Sequence, residues 1–193
     1  MPSRNQSALD FLLSRGSYPA KMMAGPVPGR ADLAVMLTAA SRSPDHGKLV
    51  PWRFVVLQRP ALQRLAALAQ TRGADLGLDA EQTAKGFGQY DRADLVVVVV
   101  VSSPKASPKV PKVEQVQSAS AVCLALVNAA TASGWASCWL SGWPSYDRAF
   151  VEQGFGLNPG ETVAGVIHIG TETAPPADRP RPDIAAITTW LHT

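Results

Sequence analysis

The residues of this chain best suited to chemistry are loop cations and hydroxyls of the kind that hold a phosphate. Arg15 and Ser17 follow the first helical stretch, Arg42 and His46 follow the second, and Arg179 and Arg181 stand in a proline-rich tail. A guanidinium presents its N–H groups as a planar fork that matches two phosphate oxygens, and several converging cations neutralise a dianion. Arg15 and Arg42 also have a simpler reading. Each closes a helical stretch, where a cation favours the helix dipole by ~0.3–1 kcal/mol with no ligand present.

Other chemistries lose ground by comparison. The chain has no G-x-G-x-x-G after a strand, no G-x-x-x-x-G-K, no G-x-S-x-G and no H-E-x-x-H, which argues against hydrolase and nucleotide-fold readings. His46, His168 and His192 lie in a loop, an apolar strand-like run and the C-terminal end. So dispersed a set is a poor metal site, and His168 reads as a satisfied core histidine. Cys123 and Cys138 form no C-x-x-C pair and neither stands beside a histidine at ligand spacing, so no disulfide and no metal are expected. The net charge of +3, from 18 basic and 15 acidic residues, includes no basic run that would follow a nucleic-acid backbone.

The elements that must position these groups follow from the hydropathy pattern. Residues 8–13 and 32–40 have helical spacing, separated by a Pro/Gly-rich loop, and the second helix breaks at RSPDHGKLVPW. RFVVLQ at 53–58 reads as a strand and 61–70 as a helix. The polar stretch 72–92 is the hardest to assign, with a helix expected around 80–90, lying over the active site. LVVVVVV at 95–101 reads as a strand covered on both faces at the centre of a sheet. Residues 102–111 form a Ser/Pro/Lys loop, and 114–133 form a helix apolar almost all round, fit for a deep core or a dimer interface. A strand at 136–140, a helix at 145–153 ended by Gly154, a buried strand at 162–170 and an amphipathic stretch at 184–191 complete the chain. This alternation predicts an α/β or α+β sandwich with helices on a central sheet, in one domain over residues 1–193. The pattern leaves strand order open.

Composition adds two expectations. Hydrophobic residues make up 46% of the chain, enough for a sizeable core, and charged residues only 17%, against ~25% in typical soluble domains. The low charge points to surface covered by a second subunit. The N-terminal MPSRNQSALDFLLSRGS lacks a long apolar core and a cleavage site, and no apolar run approaches the ~20 residues of a membrane span. A cytoplasmic protein with no membrane or nucleic-acid partner is expected.

The motifs RGS (15–17), RSPDHGKLVPWRF (42–54), GWASCWLSG (134–142) and GVIHIGT (165–171), in this order, resemble the FMN-dependent nitroreductases, and within them the small subgroup with a PDH…PWRF loop. That resemblance spans nearly the whole chain. It implies a mainly antiparallel central sheet flanked by helices in a domain-swapped homodimer with shared active sites. It also implies FMN as cofactor, NADH or NADPH as hydride donor, and a small electrophilic acceptor such as a nitroaromatic or a quinone, reduced by a ping-pong mechanism on the flavin itself.

The site residues implied by the resemblance are these. Arg15, Gly16 and Ser17 match the segment at the FMN phosphate and ribityl chain, with Arg179 or Arg181 returned from the tail. Arg42 and His46 match positions that reach the flavin of the opposing subunit. Trp139, Leu140 and Ser141 match the segment beside the isoalloxazine ring. Ala129, Ala130, Thr131, Ala132, Ser133 and Gly134 match a stretch linked to the nicotinamide nucleotide. Gly16, Lys48, Val50 and Leu140 depart from residues common in the family, namely Arg, Asn, Gln and Arg respectively. These departures keep two alternatives open: a specialised flavoenzyme of the same fold (a dehalogenase, a flavin-fragmenting enzyme or a biosynthetic dehydrogenase), or a non-catalytic flavin-binding protein.

Overall fold

A computed structural model describes residues 3–102, 105 and 107–192. In chain order the elements are helix α1 (Gln6–Ser14), strand β1 (Met23–Ala24), α2 (Arg30–Ala40), β2 (Trp52–Gln58), α3 (Arg59–Asp75), α4 (Ala80–Asp91), β3 (Leu95–Val101), α5 (Lys112–Ala132), β4 (Ala136–Leu140), α6 (Arg148–Phe155) and β5 (Thr162–Glu172). Short 3-10 turns cover Ala20–Met22, His46–Lys48 and Trp143–Ser145.

Every strand pairing is antiparallel. β3 lies between β2 and β5, and the other edge of β5 is shared by β4, along 166–170, and β1, along 171–172. The unbroken valine run of β3 is explained by this position. Val97, Val99 and Val101 face a core with Met36 of α2 and Leu126 of α5, while Val96, Val98 and Val100 face Leu62 and Leu65 of α3 and Phe150 of α6. All seven residues of β3 are buried, so alternation of apolar and polar residues would expose no polar side chain to water. The expected sheet flanked by helices is the fold observed.

Several boundaries differ from the sequence reading. β1 falls inside the stretch read as loop; with only two residues it carries no periodicity and exists because it pairs with Thr171 and Glu172. The helix assigned to 145–153 starts at Arg148, capped by the Asp147 carboxylate, and ends at Gly156 in the left-handed region (φ 66°). Gly154 is instead an interior packing residue, its Cα facing the Leu65 side chain. α5 buries one stripe, including Ala119, Val122, Leu126 and Ala130, and leaves Val113, Val116 and Leu124 exposed. The amphipathic stretch 184–191 forms no helix or strand, and Ile184, Ile187, Trp190 and Leu191 are exposed. α1 likewise buries nothing, with Leu12 and Leu13 facing out.

Candidate functional site

The RGS segment is built by the end of α1. Arg15 is the C-cap, its backbone N–H donating to the Phe11 carbonyl at 2.8 Å, and its guanidinium donates to Ser17 Oγ at 3.3 Å. Tyr18 N–H then donates to the Ser137 carbonyl at 3.0 Å, fastening the loop to β4. Ser137 is fully buried, and its hydroxyl donates to the Val127 carbonyl of α5 at 3.1 Å and lies 3.2 Å from Thr131 Oγ1. Loop, strand and helix are thus tied at one point. Burial, and then Glu172 nearby, raise the pKa of the Tyr18 phenol.

The tail comes back to this loop from the far end of the chain. Arg15, Gly16, Ser17 and Tyr18 line one side of a cleft of about 490 Å³, and Asp178, Arg179 and Arg181 line the other. Arg181 is partly committed, to Asp178 at 3.1 Å and to the Arg179 carbonyl at 2.6 Å. Arg179 makes no ion pair among the described residues. Arg15 Nε is buried with no hydrogen-bond partner, an unmet donor that an anion in the cleft would satisfy. Of the residues read from the sequence as phosphate-holding, Arg15, Ser17, Arg179 and Arg181 therefore meet at one cleft, although they come from opposite ends of the chain.

β4 supplies the next segment. The Trp139 indole, 40% exposed, lies against Gly165 of the neighbouring strand, where any side chain would collide with it. Leu140 is half-buried and Ser141 exposed. α4 backs this segment from behind: Gln89 abuts Gly142, the Trp143 ring abuts Gly86, and the Trp143 indole N–H donates to the Gln82 carbonyl at 3.0 Å. The helix expected around 80–90 is present as α4, which packs on α3 and braces Gly142 and Trp143.

The PDH loop is fixed by a residue the sequence reading passed over. The Asp45 carboxylate accepts the backbone N–H of Leu49 at 3.1 Å and of Val50 at 2.8 Å. These bonds hold Lys48 (φ 52°) and Val50 (φ 48°) in the left-handed region, a conformation costly for a β-branched residue. An aspartate two residues before a glycine is a turn signal that would have found it. His46 Nδ1 is 2.7 Å from Glu114 Oε2 in the first turn of α5, and the Arg42 side chain is exposed with no ion pair among the described residues. Neither residue lines the Arg15 cleft.

Trp52 is a core anchor, 7% exposed. Arg53 beside it is structural: it forms a bidentate pair with Glu161 at 2.8 and 2.6 Å and donates to the Gly156 carbonyl at 3.1 Å. The stretch from Ala129 to Gly134 closes α5 outside the cleft. Ala130 is buried, Thr131 donates to Val127 O at 3.0 Å and Ser133 to Ala129 O at 2.8 Å. His168 corrects the sequence reading. It is buried, as expected of a core histidine, but its Nε2 has no partner, and burial with Arg92 nearby pushes the imidazole down to about 4. Among the described residues no group of His, Cys, Asp and Glu could hold a metal ion, and no helix is long and apolar enough to cross a membrane.

An antiparallel sheet between two helical layers, with a cleft lined by Arg15, Ser17, Arg179 and Arg181 where the RGS loop meets the C-terminal tail, defines an α+β sandwich. Solved structures share that architecture. A nitroreductase-like family protein from Bacillus cereus superposes with a TM-score of 0.79 at 19% identity, covering 100% of both chains. A nitroreductase with bound FMN from Bacteroides fragilis gives 0.73 at 20% identity, covering 98% of this chain and 100% of its own. The profile of the nitroreductase family matches residues 24–171. A Haemophilus influenzae protein provisionally named NAD(P)H nitroreductase is 33% identical over 85% of this chain and 88% of its own. A protein of Escherichia coli K12 with the same provisional name is 31% identical over 85% and 87%. The chain belongs to the nitroreductase family.

Proposed function

We propose that this protein is a homodimeric, FMN-dependent oxidoreductase that takes hydride from NADH or NADPH and passes it to a small electrophilic acceptor. The observation that carries the reading is the unpartnered Arg15 Nε inside a cleft that also gathers Ser17 and Arg179. A buried guanidinium donor without a partner fits a phosphate oxygen, and the fold neighbour from Bacteroides fragilis is described with FMN bound.

When bound, the flavin supplies hydride acceptance and donation at N5. The residues of this chain bind and orient. Arg15, Ser17 and Arg179 hold the phosphate, with Arg181 held back by Asp178. The backbone of Trp139, Leu140 and Ser141 borders the ring, and an N–H there would stabilise negative charge on the ring edge. α4 keeps that strand end in place through Gln89 and Trp143. Donor and acceptor would use this one site in turn, which predicts ping-pong kinetics.

The outward-facing Val113, Val116 and Leu124 of α5, together with Leu12 and Leu13 of α1, offer apolar surface to a second copy. Arg42 and His46 lie away from the cleft of their own chain, as residues that complete the partner's site would. The reading is tested by denaturing the purified protein and quantifying the released flavin. About one flavin mononucleotide per chain is expected; a chain that retains none after incubation with excess FMN would overturn it.

A further inference from the structure

The formal charge of this chain is concentrated in two loops that have no role in the cleft. Segments 41–51 and 105–114 together carry Arg42, Lys48, Lys105, Lys109 and Lys112, against the carboxylates Asp45 and Glu114. That excess of three positive charges equals the net charge of the whole protein. Both carboxylates are already engaged, Asp45 with the N–H groups of Leu49 and Val50 and Glu114 with His46. Each of the five cations is exposed and in no ion pair among the described residues.

The two loops form one built surface. Gln115 of α5, 2% exposed, accepts the Lys105 backbone N–H at 3.0 Å and donates to the Lys105 and Val110 carbonyls at 3.0 and 3.3 Å. The Lys105 ammonium donates in turn to the Leu49 carbonyl of the other loop. Val110 packs against Gly47, and Ser118 Oγ donates to the Pro44 carbonyl. The left-handed backbone at Lys48 and Val50 is maintained at the crest of this surface. Strain at an exposed loop tip persists only where surrounding bonds over-determine it, a pattern typical of binding loops. The N-terminus of α5 begins at Lys112 with no side-chain cap, adding its positive dipole end to the same corner.

We infer that these loops recognise the 2′-phosphate of NADPH and so make NADPH the preferred hydride donor. This deepens the proposed function and rests on it, because Arg42 and His46, from the same loop, are there taken to reach the partner's flavin. A phosphate monoester carries close to two negative charges at neutral pH, whereas each phosphate of the pyrophosphate bridge carries one. Ammonium groups outside ion pairs, on long flexible stems, favour such a dianion and require no fixed bidentate geometry. NADH offers nothing at that position for the same cations.

The test uses NADP+, NAD+ and inorganic phosphate as calorimetric ligands for the FMN-saturated full-length protein, whose own phosphate cleft is then filled, beside its Lys48→Glu and Lys109→Glu variants. The expected order is NADP+ tightest, by about fivefold or more over NAD+, with inorganic phosphate weaker than either. Each reversal should erase most of that margin, and high salt should compress it. Lys85→Glu, at a lysine that pairs with Glu81 on α4, should leave the margin intact. Equal affinity for NADP+ and NAD+, or a margin unmoved by both loop reversals, overturns the inference. So does inorganic phosphate binding as well as NADP+, since the loops would then be a general anion site. Flavin content is quantified separately in each protein, so a failure here is distinct from a failure to bind FMN.

Discussion

Tyr18 donates its backbone N–H to the carbonyl of Ser137 at 3.0 Å, and this one bond joins the loop that carries Arg15 and Ser17 to the strand that carries Trp139. The two segments assigned to opposite ends of a flavin are therefore held in fixed relation. Ser137 is itself held by α5 through Val127. Ser137→Val would retain the volume and strand propensity but remove the hydroxyl from a site with no water access. We expect a loss of about 1–2 kcal/mol in unfolding free energy, with weakened flavin retention because the strand that receives the Tyr18 N–H is no longer tied to α5 through the Ser137 hydroxyl. Chemical denaturation and bound-flavin content check both effects; unchanged retention would separate the strand from the site.

Arg15→Gln removes from the cleft a half-buried guanidinium whose Nε has no partner. Charge-assisted hydrogen bonds are worth roughly 1.5–3 kcal/mol, so the dissociation constant for FMN should rise by about tenfold to a hundredfold, while stability without flavin stays within about 0.5 kcal/mol. Arg181→Gln should have a smaller effect, since Arg181 already pairs with Asp178. Fluorescence titration of the apoprotein distinguishes them. A larger effect of Arg181→Gln would place the phosphate nearer the tail than the RGS loop.

Glu161→Ala breaks a pair of a different kind. Arg53 would lose both carboxylate bonds while remaining half-buried, and Asn158 would lose the acceptor for its N–H at 2.8 Å. A destabilisation of roughly 3 kcal/mol is expected, with flavin affinity unchanged in the protein that remains folded. An altered flavin affinity would give Arg53 a role in the site beyond this structural pair.

His168 makes stability depend on pH. Its imidazole titrates near 4 in the folded chain and near 6.5 when unfolded. Between those values the unfolded chain binds a proton that the folded chain does not. Stability is therefore complete above about pH 6.5 and falls as the pH drops toward 4, by about 3 kcal/mol in all. His168→Gln should flatten that decline relative to the parent protein. Parallel urea midpoints for the two proteins from pH 7 to 4.5 would contradict it.

How much of this was legible in the sequence depended on whether one residue's surroundings came from its neighbours in the chain or from afar. The β3 run was unmistakable because burial on both faces demands apolar residues throughout. Gly154 and Gly156 could not be told apart from the sequence. One is glycine because Leu65 of α3 leaves no room and the other because the backbone turns left-handed there, and only the first depends on a distant contact. The cations of the cleft were found by type, since few residue kinds grip phosphate, yet their meeting depends on a tail with no secondary structure of its own. Asp45 bonds only backbone N–H groups, so no partner side chain points to it, and the Asp-x-Gly turn pattern is its one signal in the sequence. His168 was placed correctly in the core, but a missing hydrogen-bond partner is a property of the packed structure alone.

A flavin held in the cleft should accept hydride from a nicotinamide nucleotide. The most direct test is the visible spectrum of the purified, FMN-saturated protein, recorded anaerobically before and after addition of NADH or NADPH. Flavin absorption should bleach within seconds to minutes with NADPH, more slowly with NADH, and return when an electrophilic acceptor such as a quinone is admitted. Flavin absorption that persists with both nucleotides, in protein shown to retain FMN, would contradict it.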